Sequence, residues 1–462
     1  MKRPVTALAG FTLLVALFVG VVASRSSHST VSAAPQVSCL GGTALPAPGG
    51  GNVFLRFLES FRFEDGATGD AYYRAVDPGN RRTTLQDWLV VNKFLQPGQA
   101  FGPGTGSNGT PGDTNIATDA KAIYLNAADL GFGRRMYLRR NANGALASYV
   151  ENYGNDLRQI NTDPVEGVDA NGNPIRDVDV LENAKTRDAN GLIATVCMEY
   201  VAPDDNPTGR KRVTFYTYNS QGQRISIQKL NLDGRGDKAQ PGVCNVCHGG
   251  APKALVNGIY PDKGDTKAYF LPWDVATFKF DTAPGFRRTD QEDQFRNLND
   301  AVLVHHSQRA KLDETSGIIR PVAPVELIRG WYGIGTATRI PSGAVFDENF
   351  VPVGWRPSTA LGIPNGADDV YREVMGPNCR ACHIQRESSL DFATYKGFIK
   401  LRDATEDLVF RVPFKLAGTT VQGAPRPGDD KAVMPLALRT YNNFWKSAAP
   451  DKLCEFLATI PR

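Results

Sequence analysis

A chain of 462 residues with 41% hydrophobic and 22% charged side chains has the make-up of a globular protein long enough for several cores, which excludes a mostly disordered or collagen-like chain. Lysine and arginine number 52 against 48 aspartate and glutamate, a net charge of +4, and so thin a surplus argues against a nucleic-acid partner, which needs a concentrated basic face. Only five His and five Met occur, so the position of each carries information.

Lys2 and Arg3 precede an uncharged run from Pro4 to Ser24, rich in Leu, Val, Ala and Phe, and a polar stretch follows. This is the three-part pattern of a secretory signal, with small residues suited to cleavage at Val21-Val22-Ala23 and Val31-Ser32-Ala33. The run approaches the roughly 20 residues that span a bilayer, so residues 1–38 read as a cleaved signal peptide or an uncleaved N-terminal anchor. Either reading exports the body of the protein, to the periplasm or the cell exterior. No later segment is apolar enough to span a membrane.

Residues 39–240 read as an α+β domain. Helices are expected over Asn52–Phe61 and from Thr83 or Thr84, as N-cap, through Phe94, with Trp88 and Leu89 inward. Alternation predicts strands at Met136–Arg140, Leu146–Tyr153, Leu192–Val201, Val213–Tyr218 and Arg224–Leu230, with hairpin turns at Asn143-Gly144 and Ser220-Gln221-Gly222. The sum is an antiparallel sheet with helices to one side. Arg134, Arg135, Arg139 and Arg140 alternate around Met136 and read as a solvated strand face, with a basic patch as the alternative. Three motif matches here carry no function. Gly104 to Gly109 fits a dinucleotide loop but lies between Pro103 and Pro111 and opens no helix. Asp169 to Asn173 starts like a calcium loop but has Pro174 at the glycine position and Val180 at the glutamate position. Arg235-Gly236-Asp237 is a common tripeptide.

The strongest signal is a pair of five-residue motifs, Cys244-Asn245-Val246-Cys247-His248 and Cys379-Arg380-Ala381-Cys382-His383. C-x-x-C-H is the attachment pattern for c-type haem: two thiols reach the two vinyl groups of one porphyrin as thioethers, and the adjoining His lies under the iron. One such motif arises by chance in about one chain in a thousand of this composition, and two far more rarely. A zinc ribbon spaces its C-x-x-C knuckles roughly 15–20 residues apart, whereas these stand more than 130 apart. A thioredoxin-like pair does not require the His. Export agrees with the haem reading, because c-type haem is attached after translocation. On this reading the alternative for Arg134, Arg135, Arg139 and Arg140 is a basic patch near haem propionates. Cys39, Cys197 and Cys454 remain, an odd number that allows one disulfide within the monomer, and spacing does not choose the pair.

Residues 241–350 form a first haem module around His248. No Met follows until Met375, but Gln291–His306 has a helical pattern with Phe295, Leu298 and Val302 on one face and His305 and His306 on its flanks. Either histidine is a candidate sixth ligand; the alternative is a pair of helix-end histidines, exposed or hydrogen-bonded. Met136 and Met198, both in expected strands, and an open iron are the other candidates.

Residues 351–462 form the second module. A helix beginning at Ala367 runs through Met375 to a stop at Gly376-Pro377, directly before Cys379, and Met375 reads as core. Val433-Met434-Pro435 follows, then two short helices between Leu438 and Ile460, broken at Ala449-Pro450. With its two motifs the chain resembles a dihaem c-type cytochrome, and this module resembles a class I cytochrome c: a helix leading into C-x-x-C-H, a Met-Pro about fifty residues on, an aromatic-rich terminal helix. The resemblance rests on the motifs and the last hundred or so residues. It implies that Met434 is the sixth ligand of the second haem, opposite His383. The segments before residue 240 look similar to those of uncharacterised secreted bacterial proteins that carry C-x-x-C-H, which implies no activity.

The expected fold class is therefore α+β and multidomain, an N-terminal antiparallel-sheet domain followed by two mainly α cytochrome c-like modules. Two covalent c haems, with His248 and His383 as proximal ligands, point to electron transfer with redox proteins or small electron donors and acceptors, and a membrane link only through the N-terminal anchor. The alternative is a dihaem peroxidase or oxygenase whose open first haem is fed by the second. A third reading makes the N-terminal sheet a docking module.

Overall fold

The computed structural model describes residues 66–101, 104–105, 111–112, 116–154, 167–168, 174–175, 177–225, 232, 238–313, 322–384, 392–400, 436–445 and 447–460. The N-terminal signal or anchor, Cys39, the helix expected at Asn52–Phe61, most of Arg224–Leu230 and Met434 lie outside them. Residues Leu40–Arg462 form one compact unit.

Two helices come first, α1 (Gly66–Val76) and α2 (Leu85–Val91). Thr84 caps α2 with a reciprocal box: its hydroxyl accepts from the Asp87 N–H, and the Asp87 carboxylate accepts from the Thr84 N–H, both at 3.1 Å. Strands β1 (Ala120–Leu125), β2 (Gly133–Arg140) and β3 (Leu146–Tyr153) follow, then helix α3 (Asp177–Thr186) and strands β4 (Leu192–Val201) and β5 (Arg212–Asn219). They make one five-stranded antiparallel sheet in simple order β1-β2-β3-β4-β5. Asn143 and Gly144 turn the β2–β3 connection with positive φ (59° and 70°), the geometry Asn-Gly tolerates. Gly104–Thr105 pairs with Pro111–Gly112, and Gly167–Val168 with Pro174–Ile175.

Helices cover both faces of this sheet, not one. On one face Tyr137, Ala147, Tyr149, Cys197, Tyr216 and Tyr218 pack with Trp88 and Leu89 of α2 and Tyr72 and Tyr73 of α1. Two of the tyrosine hydroxyls in this core reach backbone partners: Tyr72 Oη accepts from the Phe215 N–H at 2.9 Å, and Tyr218 donates to the Arg82 carbonyl at 2.9 Å. On the other face Tyr124, Met136, Leu138, Val150, Met198, Tyr200 and Phe215 belong to a larger core that continues into the C-terminal half. The arginines of β2 divide between the faces and are not a solvated patch. Arg135 is buried 3.6 Å from Glu151, Arg134 lies 3.7 Å from Asp129, and Arg140 is 3.1 Å from Asp300. A strand covered on both sides buries Arg135 and leaves Arg134, Arg139 and Arg140 only partly exposed.

After the sheet come α4 (Gly242–His248), the long α5 (Glu292–Asp313) and α6 (Val322–Trp331). A continuous helix α7 follows, built of an α segment Ala367–Val370, a π segment Tyr371–Arg380 and an α segment Ala381–His383. Gly376-Pro377 does not end it. Pro377 lacks an N–H and would clash with a carbonyl one α-turn back, and the wider π turns accommodate it. The Asn378 side-chain amide donates to the Val374 carbonyl at 3.0 Å. Helices α8 (Tyr395–Ile399), α9 (Leu438–Trp445) and α10 (Ala449–Thr459) complete the fold, with Pro450 in the first turn of α10, where its missing N–H costs nothing. Helices α9 and α10 pack against each other and against the π segment of α7. Phe295, Leu298 and Val302 of α5 are buried as expected, and so is Met375. The main core joins sheet residues, α5 and α10 side chains, so it runs across residues 240/241 and 350/351. Among the described residues no helix is long and apolar enough to cross a membrane.

Candidate functional site

The first motif occupies nearly all of α4. Val243 and Val246 point into the core, which leaves Cys244, Cys247 and His248 half-exposed. Three residues apart on an α-helix, the two cysteines share one face a turn apart. The helix is anchored at its start by the Gln240 side-chain amide, which donates to Thr217 of β5 at 2.9 Å.

His248 is held twice by Tyr269. The Tyr269 N–H donates to the His248 carbonyl at 2.9 Å, and His248 Nδ1 lies 3.0 Å from the Tyr269 carbonyl. A carbonyl only accepts, so Nδ1 carries the proton and Nε2 presents its lone pair. Burial pushes the imidazole down to about 4, with the nearby Arg134 charge acting the same way against the Tyr269 bond, so the ring is neutral at pH 7. The ring of Phe215 stands 5.4 Å from it.

Helix α4 ends on two glycines. Gly250 has φ +68°, and a Cβ there would stand 2.1 Å from the Thr266 carbonyl. Only glycine lets the returning chain pass so close. That chain, residues 266–274, forms a strap across the molecule. Asn245, the first variable residue of the motif, donates to the Gly249 carbonyl at 2.6 Å and to Thr266 at 3.1 Å. Helix α5 pins the strap from behind. Asn299, fully buried, accepts from the Trp273 N–H at 2.8 Å and donates to the Trp273 carbonyl at 2.9 Å. Asn299→Leu therefore strands a buried N–H and C=O together, and a loss of about 2–4 kcal/mol of unfolding free energy is expected from urea titration. A change below ~0.5 kcal/mol, typical of a surface site, would show that the strap does not depend on this clamp.

The second motif sits at the π-to-α junction of α7, with Cys379 in the π segment and Cys382 and His383 in the α segment. The four motif cysteines are not joined by disulfides. Desolvation pushes the Cys379 thiol up to about 12. The His383 ring packs 4.9 Å from Phe392. Arg380, the first variable residue of this motif, is buried: its Nε donates to Asp274 Oδ2 at 2.8 Å, and its guanidinium lies over Trp331 and Tyr371 at 5.4 and 5.5 Å. The segment Ala381–His383 packs directly against α4. The structure thus brings together two motifs that stand more than 130 residues apart in the sequence.

Of the other candidate ligands, His305 and His306 are neither exposed nor at a helix end: they lie within α5, only 2% and 1% exposed. His306 Nε2 donates to the Phe270 carbonyl at 3.0 Å, and its ring stacks on Tyr269 at 5.6 Å. His305 lies edge-on to Tyr200 at 4.5 Å and Phe270 at 5.1 Å, and neither of its ring nitrogens has a hydrogen-bond partner among the described residues. Burial holds both rings neutral, His306 pushed down to about 3 and His305 further. Met136 and Met198 are buried on the same sheet face as Phe215. Cys197 is fully buried and outside any disulfide, whereas Cys454 of α10 is disulfide-bonded.

These residues fit a covalently held haem: two thiols one helical turn apart, then an imidazole whose Nδ1 is already engaged, which leaves the Nε2 lone pair for a ligand role. Among the described residues no group of three or more His, Cys, Asp or Glu gathers around a common ion position. Sequence reasoning missed Tyr269, Asp274, Asn299 and Arg380. An arginine inside a C-x-x-C-H motif was the one visible signal, since a buried guanidinium requires a carboxylate elsewhere in the chain. Comparison with family models, curated proteins and solved structures finds no match to this chain.

Proposed function

We propose that this chain is an exported dihaem c-type cytochrome that carries electrons, with haems attached through Cys244 and Cys247 and through Cys379 and Cys382. The observation that carries the proposal is the contact between the two motif helices, α4 and the last turn of α7, under one shared strap. A bound haem supplies one-electron chemistry at iron, its potential set by axial ligands, burial and hydrogen bonding. His248 and His383 serve as proximal ligands. The Tyr269 carbonyl fixes the His248 tautomer and ring plane and raises the basicity of Nε2.

The packing of α9 and α10 on α7 supports the class I-like reading of residues 351–462, in which Met434 is the sixth ligand of the second haem. For the first haem, His305 has no hydrogen-bond partner on either nitrogen among the described residues while His306 commits Nε2 to the strap, and Met136, Met198 and an open position are the alternatives. Partners are redox proteins or small electron donors and acceptors. The N-terminal signal or anchor accounts for export to the periplasm or beyond.

The test is the intact mass, under denaturing conditions, of full-length protein matured in a host with c-haem machinery. An excess of two haems over the processed chain is expected. A mass equal to the bare chain overturns the proposal. Rapid uptake of carbon monoxide by one reduced iron favours a peroxidase or oxygenase over a pure carrier.

A further inference from the structure

The strap holds the two motifs by unlike chemistry. At the first, the hydrogen bonds join neutral groups: the Asn245 amide to Thr266, His248 Nδ1 to the Tyr269 carbonyl and the Tyr269 N–H to the His248 carbonyl. At the second, the link is a buried ion pair between Asp274 and Arg380, and Asp274 Oδ1 has no hydrogen-bond partner among the described residues. Arg380 also donates to Tyr371 Oη at 3.3 Å. Since Arg380 stands between Cys379 and Cys382, its positive charge sits beside whatever those cysteines hold, and Asp274 is the carboxylate that balances it. Buried charges are little screened by salt.

We propose that Asp274 sets the reduction potential of the second haem relative to the first, and with it the direction in which an electron moves between them. This rests on the dihaem reading and deepens it. Ferric haem carries one more positive charge than ferrous, so an unbalanced Arg380 disfavours the oxidised form. At roughly 10 Å and an effective dielectric of ~20, one unit charge changes that equilibrium by about tenfold. For a one-electron couple, about tenfold is ~59 mV. Asp274 is a positioning residue in this account; it acts through Arg380.

The experiment is a spectroelectrochemical titration at pH 8 of the matured full-length protein and its Asp274→Asn variant, both checked for two haems by intact mass. Asp274→Asn is expected to raise the second midpoint by about tenfold in the equilibrium and leave the first in place. The double variant Asp274→Asn/Arg380→Gln, neutral again, is expected to return to the original value. Should Asp274→Asn fail to accumulate, Arg380→Gln alone serves: it leaves the carboxylate, so the second midpoint falls. A merely structural role moves both midpoints together or lowers haem content without regard to the sign of charge. Two attached haems with an unmoved second midpoint, or one that moves opposite to the charge change, overturns the inference and leaves the dihaem reading standing. A chain without haem removes both.

Discussion

Replacing Cys244 and Cys247 together by alanine is expected to halve the covalent haem, from two per chain to one, with the remaining group on Cys379 and Cys382. Both thiols of the first motif project from one short helix, and in the proposed attachment each would contribute one thioether. Without them His248 would offer only a coordinate bond, which denaturation would break. The second motif has independent support: α7 is packed by α9 and α10, and Arg380 is anchored to Asp274. Denaturing mass spectrometry with peptide mapping reads the outcome directly. The matching Cys379→Ala/Cys382→Ala variant is expected to leave the first haem alone. If the first variant retained two haems, attachment would run through other residues, and the role given to α4 would be wrong.

How far such a site is legible in sequence depends on the range of the interactions that make it. The motifs, the Thr84 cap and the break before Pro450 are local, and each was readable within a few residues. Strands Leu146–Tyr153 and Leu192–Val201 were readable to the residue because β-branched and aromatic side chains alternate there between turn signals. Strand β1 (Ala120–Leu125) and helices α1 and α3 were not. Gly66–Val76 opens without an acidic first turn, and its apolar face is carried by Tyr72 and Tyr73, which count as polar or apolar according to what they touch. The strap was invisible for a different reason: Asp274 and Arg380 lie 106 positions apart, and Asn299 and Trp273 lie 26 apart. No local pattern announces a partner at that distance. The helical face of α5 was correct, but its length was not, because nothing in the sequence said that the strap would bury Arg309 beyond the expected end at His306.

Arg82→Met is expected to cost about 3–5 kcal/mol of unfolding free energy, read as a lowered guanidinium midpoint at unchanged slope. Arg82 is buried among three carboxylates: its Nε lies 2.9 Å from Glu199, its Nη1 2.7 Å from Asp204 and 3.5 Å from Asp77. They do not suffer equally from its loss. Asp77 keeps the backbone N–H groups of Arg81 and Arg82, at 2.8 and 3.0 Å, and Arg224 at 2.9 Å. Asp204 is partly exposed and can turn to water. Glu199 is 0% exposed, near the C-terminal end of β4, and among the described residues retains the Asn92 amide at 2.5 Å and the Thr214 hydroxyl at 3.3 Å. An uncompensated buried carboxylate is the costly product, so removing its charge as well is expected to recover most of the loss. The double variant Arg82→Met/Glu199→Gln keeps an acceptor for Asn92 and needs no counter-ion. If Arg82→Met cost no more than the ~0–1 kcal/mol of an exposed ion pair, or if the double variant were no more stable than the single, then Arg82 would act by packing alone, not by neutralising Glu199.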